Sequence, residues 1–424
     1  MSNDYKYVIL LGDGMADEPQ AELENRTPLA AANTPNFDKL AARAELGTAV
    51  TVPQGFPAGS DVANLSVFGY DPAVYYTGRA PLEAASMGLK LGPNDVVFRC
   101  NLVNILHYQA RGFMHDFSAG HISSEEAAEI IAALNENLQS EQIQFFPGIS
   151  YRHLMVIRDC PEELAQLPLV PPHDIIGQEV VDHLPADCTS PITQLTNSSQ
   201  MIIHRLPRFK ERLDRGEVTA NSIWLWGQGK MPRLAKFREL YGLKGAVISA
   251  VDLIRGIGIL AGMEIVDVPG ATGYLDTAYE NKAAYALKTL RENDFVYIHV
   301  EAPDEASHEG SLEKKLQAIS DLDQRLLGPL LAGLETEFPC FRLLVLPDHP
   351  TPIRLKTHTD NPVPYMLYDS QRSEPGDNNG YNEQTTAATG NLFAEGWKLQ
   401  KHLLKPAIDE FAKNQSSGIN GMAK

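Results

Sequence analysis

The chain has 424 residues, 43% hydrophobic and 21% charged, which is the balance of a soluble globular protein of about two domains. Acidic residues outnumber basic ones by 54 to 36, and the net charge of −18 argues against a nucleic-acid or anionic-membrane partner. Four widely spaced cysteines, no signal-peptide pattern and no long apolar segment predict a soluble, reduced, cytoplasmic protein without a membrane span.

The first predicted element is a buried parallel strand. Residues 7–11 form a continuous apolar run that ends at Gly12-Asp13-Gly14. Pro35 then predicts a helix start, because proline is favoured in the first helical turn.

The stretch FPAGSDVANLSVFGYDP, residues 56–72, contains the next predicted helix start. Ser60 follows Gly59 at the head of an apolar run with helical spacing. The common role of such a serine is a helix cap. Because a helix N-terminus also binds anions, a second role is a phosphate-accepting nucleophile. On this stretch alone the cap is the more ordinary interpretation.

The middle of the chain differs from its flanks. It combines alternating strands at 96–103 and 153–157 with a helix that begins at 123–126 and with proline-rich turns. We predict that residues 89–228 form an α+β substrate or lid domain, inserted into a core made of 1–88 and 229–412. Residues 413–424 are predicted to be a flexible tail.

The second part of the predicted core alternates strands with helices. Strands are expected at 245–249, 295–300 and 343–346, and helices at 250–263 and 312–334. This alternation predicts a doubly wound α/β sheet.

Acidic and histidine residues follow three of the predicted core strands. They are Asp13, Asp304, His308, Asp348, His349 and His358. Each one alone is more often a turn, cap or hydrogen-bonded residue than a ligand. In an open parallel sheet, however, residues beyond the carboxyl ends of the strands converge.

Six oxygen and nitrogen ligands are enough for two divalent ions, and this ligand chemistry suits Mn, Zn or Mg. Two metal ions in one site favour phosphoryl or sulfuryl displacement. The six residues therefore favour the nucleophile interpretation of Ser60 over the cap.

Substrate contacts are predicted at four positions. Arg99 and Arg152 lie on predicted strands and suit a phosphate or carboxylate, although most arginines form surface salt bridges. His121 precedes a predicted helix start. Lys230 follows Gly229 but lacks the loop length and the Ser or Thr of a P-loop, so it is either a phosphate contact or a turn lysine.

Five longer sequence segments indicate which protein family this chain resembles. LGDGMADEP, TPLAAANTPNFDKLA, GSDVANLSVFGYDP, YTGRAPLEAASMG and HTDNPVP occur in this order along nearly the whole chain. They resemble the archaeal-type cofactor-independent (2,3-bisphosphoglycerate-independent) phosphoglycerate mutases of the alkaline phosphatase superfamily.

This resemblance implies an alkaline-phosphatase-like fold and two metal sites. Asp13, Ser60, Asp348 and His349 would hold one divalent ion, and Asp304, His308 and His358 would hold the other. Ser60 would become a phosphoserine and return the phosphoryl group to the other hydroxyl of glycerate. The partner would be a small phosphorylated substrate.

Two segments depart from the archaeal pattern, Ala302-Pro303-Asp304 and Pro347-Asp348-His349-Pro350. They are similar to a mutase-like bacterial branch proposed to act as homoserine kinases, so a kinase with the same serine and metal site is the alternative function. A phosphatase or sulfatase is a further alternative, disfavoured because an inserted lid would exclude water. The non-enzymatic alternative, a metal-stabilised binding module, leaves the placement of Ser60 unexplained.

Overall fold

The computed structural model describes residues 5–109, 111–372 and 380–410, so the predicted tail at 413–424 lies outside the described residues. The strands are β1 (Tyr5–Gly12), β2 (Glu45–Ala49), β3 (Val96–Tyr108), β4 (Arg111–Asp116), β5 (Ile143–Ile149), β6 (Arg152–Ile157), β7 (Ser222–Gly229), β8 (Gly245–Ile248), β9 (Glu264–Ile265), β10 (Phe295–Val300), β11 (Cys340–Leu346), β12 (Val363–Asp369) and β13 (Leu392–Phe393).

The α-helices are α1 (Pro28–Ala31), α2 (Pro35–Ala41), α3 (Ser60–Val67), α4 (Pro72–Tyr75), α5 (Ala80–Ser86), α6 (Ser124–Leu138), α7 (Glu162–Ala165), α8 (Pro191–Ile203), α9 (Pro207–Asp214), α10 (Phe237–Tyr241), α11 (Asp252–Leu260), α12 (Tyr279–Leu290), α13 (Ala302–Glu309), α14 (Leu312–Asp321), α15 (Gly328–Glu337), α16 (Glu383–Ala388) and α17 (Leu399–Leu403). Among the described residues, no helix combines the length and the apolar character that crossing a membrane requires.

The chain forms two compact units. The first contains the chain up to Tyr76 and again from Arg233 onward, and the second is Thr77–Pro232. The inserted domain was predicted at 89–228. The second unit begins earlier, at Thr77, and therefore also includes α5. Ala80 and Ala84 of α5 are buried in one cluster with Val97 of β3, which explains why this helix belongs to the second unit.

The first unit is built on a mixed sheet with the strand order β13-β2-β12-β11-β1-β10-β8-β9. β1 pairs in parallel with β10 on one side and β11 on the other, and β10 pairs in parallel with β8. β12 pairs antiparallel with both β11 and β2. The predicted α/β fold is confirmed, but the sheet is not wholly parallel.

The central strands are mostly apolar because helices cover them. β10 is completely buried, and its side chains share a core cluster with residues of α12, including Ala283 and Leu290. Where one helix was predicted at 312–334, α14 and α15 are joined by a π-helical stretch, Leu322–Leu327. Within it, the buried Asp323 carboxylate accepts the backbone N–H of Asn36 at 3.1 Å and of Phe37 at 2.7 Å, and so caps α2 from outside that helix.

The second unit is an α+β fold with an antiparallel sheet. Its strand order is β4-β3-β6-β5, and β7 also pairs with β3. α6 and α8 contribute Ile131 and Ile192 to a core that also contains Phe98 of β3.

Candidate active site

The register of the central strands brings three chain segments to one end of the sheet in the first unit. Leu11 of β1 pairs with His299 of β10 and with Leu346 of β11. All three strands run in the same direction, so the residues that follow them emerge side by side. Gly14 turns the chain after β1 with a φ of 59°, and a Cβ there would overlap Asp304 and Thr351.

Asp13, Asp348 and His349 form the first group of possible metal ligands. One ligand atom from each lies within 4.8 Å of the others. Nε2 of His349 lies 3.5 Å from Oδ1 of Asp13 and 3.3 Å from Oδ2 of Asp348. All three residues are completely buried.

Asp304, His308 and His358 form the second group, again with ligand atoms within 4.8 Å of one another. Asp304 and His308 lie four residues apart on α13, which puts both on one face of the helix. Oδ2 of Asp304 lies 3.1 Å from Nε2 of His308, and Oδ1 lies 3.6 Å from Nε2 of His358. The two imidazole nitrogens are 3.0 Å apart.

Ser60 is the first residue of α3, and Gly59 occupies the N-cap position. The cap interpretation of Ser60 is therefore wrong, because the residue lies one position too far along the helix. Its Oγ instead lies 3.1 Å from Nε2 of His349, and the residue is only 8% exposed. The hydroxyl is thus beside the first ligand group.

The surroundings of the two carboxylates in the first group, Asp13 and Asp348, disfavour their ionised forms. Burial raises the pKa of Asp13 well above its usual value, and the charges of Asp348, Glu301 and Asp304 raise it further. Burial, and next the charge of Asp304, raise the pKa of Asp348 to about 7. A cation between them would remove this cost, because positive charge favours a carboxylate.

In the second group, nearby positive charge stabilises a buried carboxylate. Burial raises the pKa of Asp304, but the charge of His358 and the contact with His308 outweigh it and hold that pKa well below its usual value. Burial lowers the pKa of His308, and the hydrogen bond and charge of Asp304 reverse this and raise it to about 9. Asp304 and His308 therefore have the electrostatics of an ion pair, in which positive charge stabilises the carboxylate.

Two buried residues that the sequence did not single out support these groups. Nδ2 of Asn64 donates to Oδ2 of Asp348 at 2.8 Å and to the carbonyl of Ser60 at 2.9 Å. Oγ1 of Thr351 donates to Oδ1 of Asp304 at 2.6 Å and lies 3.2 Å from Nδ1 of His349. Their spacing from predicted site residues could have identified them in the sequence. Asn64 is four residues after Ser60 on α3, and Thr351 is two residues after His349.

The residues of both groups fit divalent cations. Oδ1 of Asp13 is buried and accepts no hydrogen bond from any described residue, which is unusual for a carboxylate oxygen. The donor atoms are carboxylate oxygens and imidazole nitrogens, a set that suits Mn, Zn or Mg.

The four predicted substrate contacts all belong to the second unit. The guanidinium of Arg99 lies 3.1 Å from Glu83 and 4.7 Å from the ring centroid of Trp226. Arg152 lies over the ring of Tyr151, and the ring of His121 is 6.5 Å from the same tyrosine. Lys230 pairs with Glu162 at 2.7 Å.

Known proteins match this chain along most of its length. Residues 41–211 match the family model described as 2,3-bisphosphoglycerate-independent phosphoglycerate mutase. A protein of Geobacter sulfurreducens named as a probable enzyme of this kind is 53% identical over 94% of this chain and 99% of its own. One named without that qualifier, from Methanosarcina acetivorans, is 51% identical over 91% of this chain and 96% of its own.

Solved structures match the fold as well. A protein of Pyrococcus horikoshii aligns with a TM-score of 0.76 at 25% identity, over 95% of this chain and 98% of its own. A cofactor-independent phosphoglycerate mutase of Thermoplasma acidophilum aligns with a TM-score of 0.60 at 23% identity, over 95% of this chain and 100% of its own. The relatives from Geobacter sulfurreducens and Methanosarcina acetivorans, each about half identical over nearly the whole chain, confirm the predicted family: this chain belongs to the 2,3-bisphosphoglycerate-independent phosphoglycerate mutases.

Proposed function

We propose that this protein interconverts 2-phosphoglycerate and 3-phosphoglycerate through a phosphoserine formed on Ser60. The observation that carries the proposal is the position of the Ser60 hydroxyl, 3.1 Å from His349 at the first residue of α3. A hydroxyl beside ligand groups and at a helix N-terminus is suited to accept a phosphoryl group, because the helix end favours anions. The names of the relatives that are about half identical to this chain supply the substrate.

Asp13, Ser60, Asp348 and His349 are proposed to hold one divalent cation, and Asp304, His308 and His358 a second, with Mn, Zn or Mg as candidates. When bound, such cations would favour the serine alkoxide and would neutralise charge on the transferring phosphoryl group. The donor chemistry and the buried free oxygen of Asp13 support this assignment.

In the proposed reaction, Oγ of Ser60 forms a bond to phosphorus while the bond from phosphorus to one glycerate oxygen breaks. The serine loses a proton, and the departing glycerate oxygen gains one. Glycerate then presents its other hydroxyl to the phosphoserine, and the same exchange in reverse regenerates Ser60. Asn64 holds the carbonyl of Ser60 and the carboxylate of Asp348 together, which keeps the nucleophile in place beside the ligands.

The second unit is proposed to recognise the substrate through Arg99, His121, Arg152 and Lys230. Burial raises the pKa of Glu83, but the charges of Arg99, Arg79 and Arg152 lower it below its usual value. Three guanidinium groups therefore act on one carboxylate, a surplus of positive charge that suits a phosphate or a second carboxylate. For Lys230 the contact with Glu162 would have to be exchanged for the substrate. A cytoplasmic location accords with this substrate.

Phosphate transfer to Ser60 tests the proposal directly. Purified protein supplied with a divalent cation should convert 3-phosphoglycerate to 2-phosphoglycerate without added bisphosphoglycerate. Intact-protein mass spectrometry after an acid quench should show one added phosphate on the peptide that contains Ser60. A parallel assay with homoserine and ATP tests the kinase alternative; phosphate transfer in that assay alone would replace the proposed substrate.

Ser60→Ala should abolish turnover and labelling while the protein remains folded, since the hydroxyl carries the group. Ser66→Ala is the matched control, because Ser66 is a completely buried serine on the same helix. Its hydroxyl has no hydrogen-bond partner among the described residues. A folded Ser60→Ala variant with substantial mutase activity would refute the proposed nucleophile.

A further inference from the structure

A third set of side chains meets at Asp13. Its Oδ2 lies 2.9 Å from Nε2 of His299, and Oε2 of Glu301 lies 3.6 Å from the same nitrogen. Ligand atoms of the three residues lie within 4.8 Å of one another, a spacing that would also suit a cation. The hydrogen bonds around His299 distinguish a cation site from a support for Asp13.

Nε2 of His299 faces only acidic groups in this set. A carboxylate is an acceptor, so the contact with Asp13 requires a hydrogen on Nε2; the other neutral tautomer would direct a lone pair at the carboxylate. Ser249 favours the same assignment. Its Oγ accepts the N–H of Val251 at 3.0 Å and lies 3.3 Å from Nδ1 of His299, where its own proton can be donated. The network thus assigns a donor to Nε2 rather than a free ligand atom.

A positive charge is already present beside this set. Lys282 is 1% exposed, and its Nζ donates to the carbonyl of His299 at 2.9 Å. Burial lowers the pKa of Lys282 to about 8, and the charge of Glu301 opposes that effect. The ammonium of Lys282 would therefore repel a cation bound between Glu301 and His299. The same ammonium already offsets the negative charge of Glu301.

We propose that His299 is a positioning residue for Asp13, not a metal ligand. Its Nε2–H fixes Oδ2 of Asp13 and leaves Oδ1 available to a cation that Asp348 and His349 would also hold. In agreement, Oδ1 is the oxygen that accepts no hydrogen bond from the described residues, and it lies 3.5 Å from Nε2 of His349. Partners that orient a ligand in this way set metal affinity without touching the metal.

The inference rests on the proposed metal centre, and titration of metal-free protein with Mn²⁺ in the absence of substrate tests it. His299→Leu should weaken Mn²⁺ binding by about 10- to 100-fold while the number of ions bound stays the same. His299→Gln should retain most of the affinity, because its amide nitrogen can donate to Asp13. His153→Leu is the matched control: His153 is equally buried, belongs to the second unit and should not change Mn²⁺ binding.

Two results would overturn the inference. A folded His299→Leu variant with native affinity would show that Asp13 needs no support, and a variant that binds one ion fewer would make His299 a ligand. If His299→Leu does not fold, Ser249→Ala serves instead: it frees Nδ1 and should weaken Mn²⁺ binding by a smaller factor, and native affinity in that variant would refute the assigned network. Native protein that binds none of Mn²⁺, Zn²⁺ and Mg²⁺ would refute the metal centre itself, and the inference with it.

Discussion

Asn64→Leu should separate the positioning of Ser60, the proposed nucleophile, from its chemistry. Leucine has the same number and branching of side-chain heavy atoms as asparagine, but it has no polar atom. The change removes the bonds from Nδ2 to Asp348 at 2.8 Å and to the carbonyl of Ser60 at 2.9 Å. It also removes the acceptor of the Tyr297 hydroxyl, which donates to Oδ1 at 2.6 Å.

The bond to Asp348 sets the expected size of the effect on the rate. A hydrogen bond to a charged group contributes roughly 1.5–3 kcal/mol. If that amount is lost in the transition state, kcat should fall by about 10- to 150-fold, since about 1.4 kcal/mol corresponds to a factor of ten. The buried Tyr297 hydroxyl, left unpaired, should cost a further ~1–3 kcal/mol of folding stability.

Steady-state assays with 3-phosphoglycerate at saturating Mn²⁺ would measure kcat and KM. Tyr297→Phe is the matched variant, because it removes the bond to Oδ1 and leaves Asp348 and Ser60 connected. It should lower stability by about 1 kcal/mol and keep a nearly native kcat. A folded Asn64→Leu protein with native kcat would refute the reasoning, and equal losses of kcat in both variants would assign the effect to the buried network as a whole.

Removal of metal should abolish turnover, and added Mn²⁺ should restore it. In metal analysis, His308→Ala should bind one ion fewer, and Asp348→Asn should bind the other ion more weakly. Full activity of a metal-free protein would contradict the proposed centre. His153 should make the free energy of unfolding depend on pH. Burial lowers its pKa from 6.5 in the unfolded chain to about 3 in the folded protein, so the unfolded chain binds more protons below pH 6.5. The stability that is present above pH 6.5 is therefore lost as the pH falls toward about 3. At about pH 5 this amounts to roughly 2 kcal/mol relative to neutral pH. Urea unfolding followed by the fluorescence of Trp224 and Trp226, both in the second unit, should therefore vary less with pH in His153→Leu; equal pH dependence in both proteins would contradict the assignment.

The sequence predicted the convergence of the ligand groups because that convergence follows from strand direction and helix spacing. Asp13 and Asp348 each follow an apolar run, and such runs form parallel central strands whose carboxyl ends meet. The spacing of Asp304 and His308 fixes their common face once α13 exists. The ligand roles of these residues, and the role of Ser60, stay predictions until metal and phosphate are measured.

Other features could not be predicted, because they depend on partners that are distant in sequence. β12 and β2 pair antiparallel within the core sheet, and no local pattern distinguishes that pairing from a parallel one. α5 belongs to the second unit because of the strands it packs against, not because of its own sequence. His299 looked like one residue of a buried strand, and its importance depends on Ser249 and Lys282, which come from elsewhere in the chain.

The start of α3 shows how a helix can present a serine without using it as a cap. At the N-cap, a serine Oγ accepts a backbone N–H of the first turn and is thereby occupied. Here Gly59 takes that position in an extended conformation, and Ser60 moves into the helix with its Oγ beside His349. Glycine in place of serine at an N-cap costs only a few tenths of a kcal/mol. Exposing the hydroxyl to the ligand groups therefore costs the fold little, while Asn64 one helical turn later secures the backbone of the same residue.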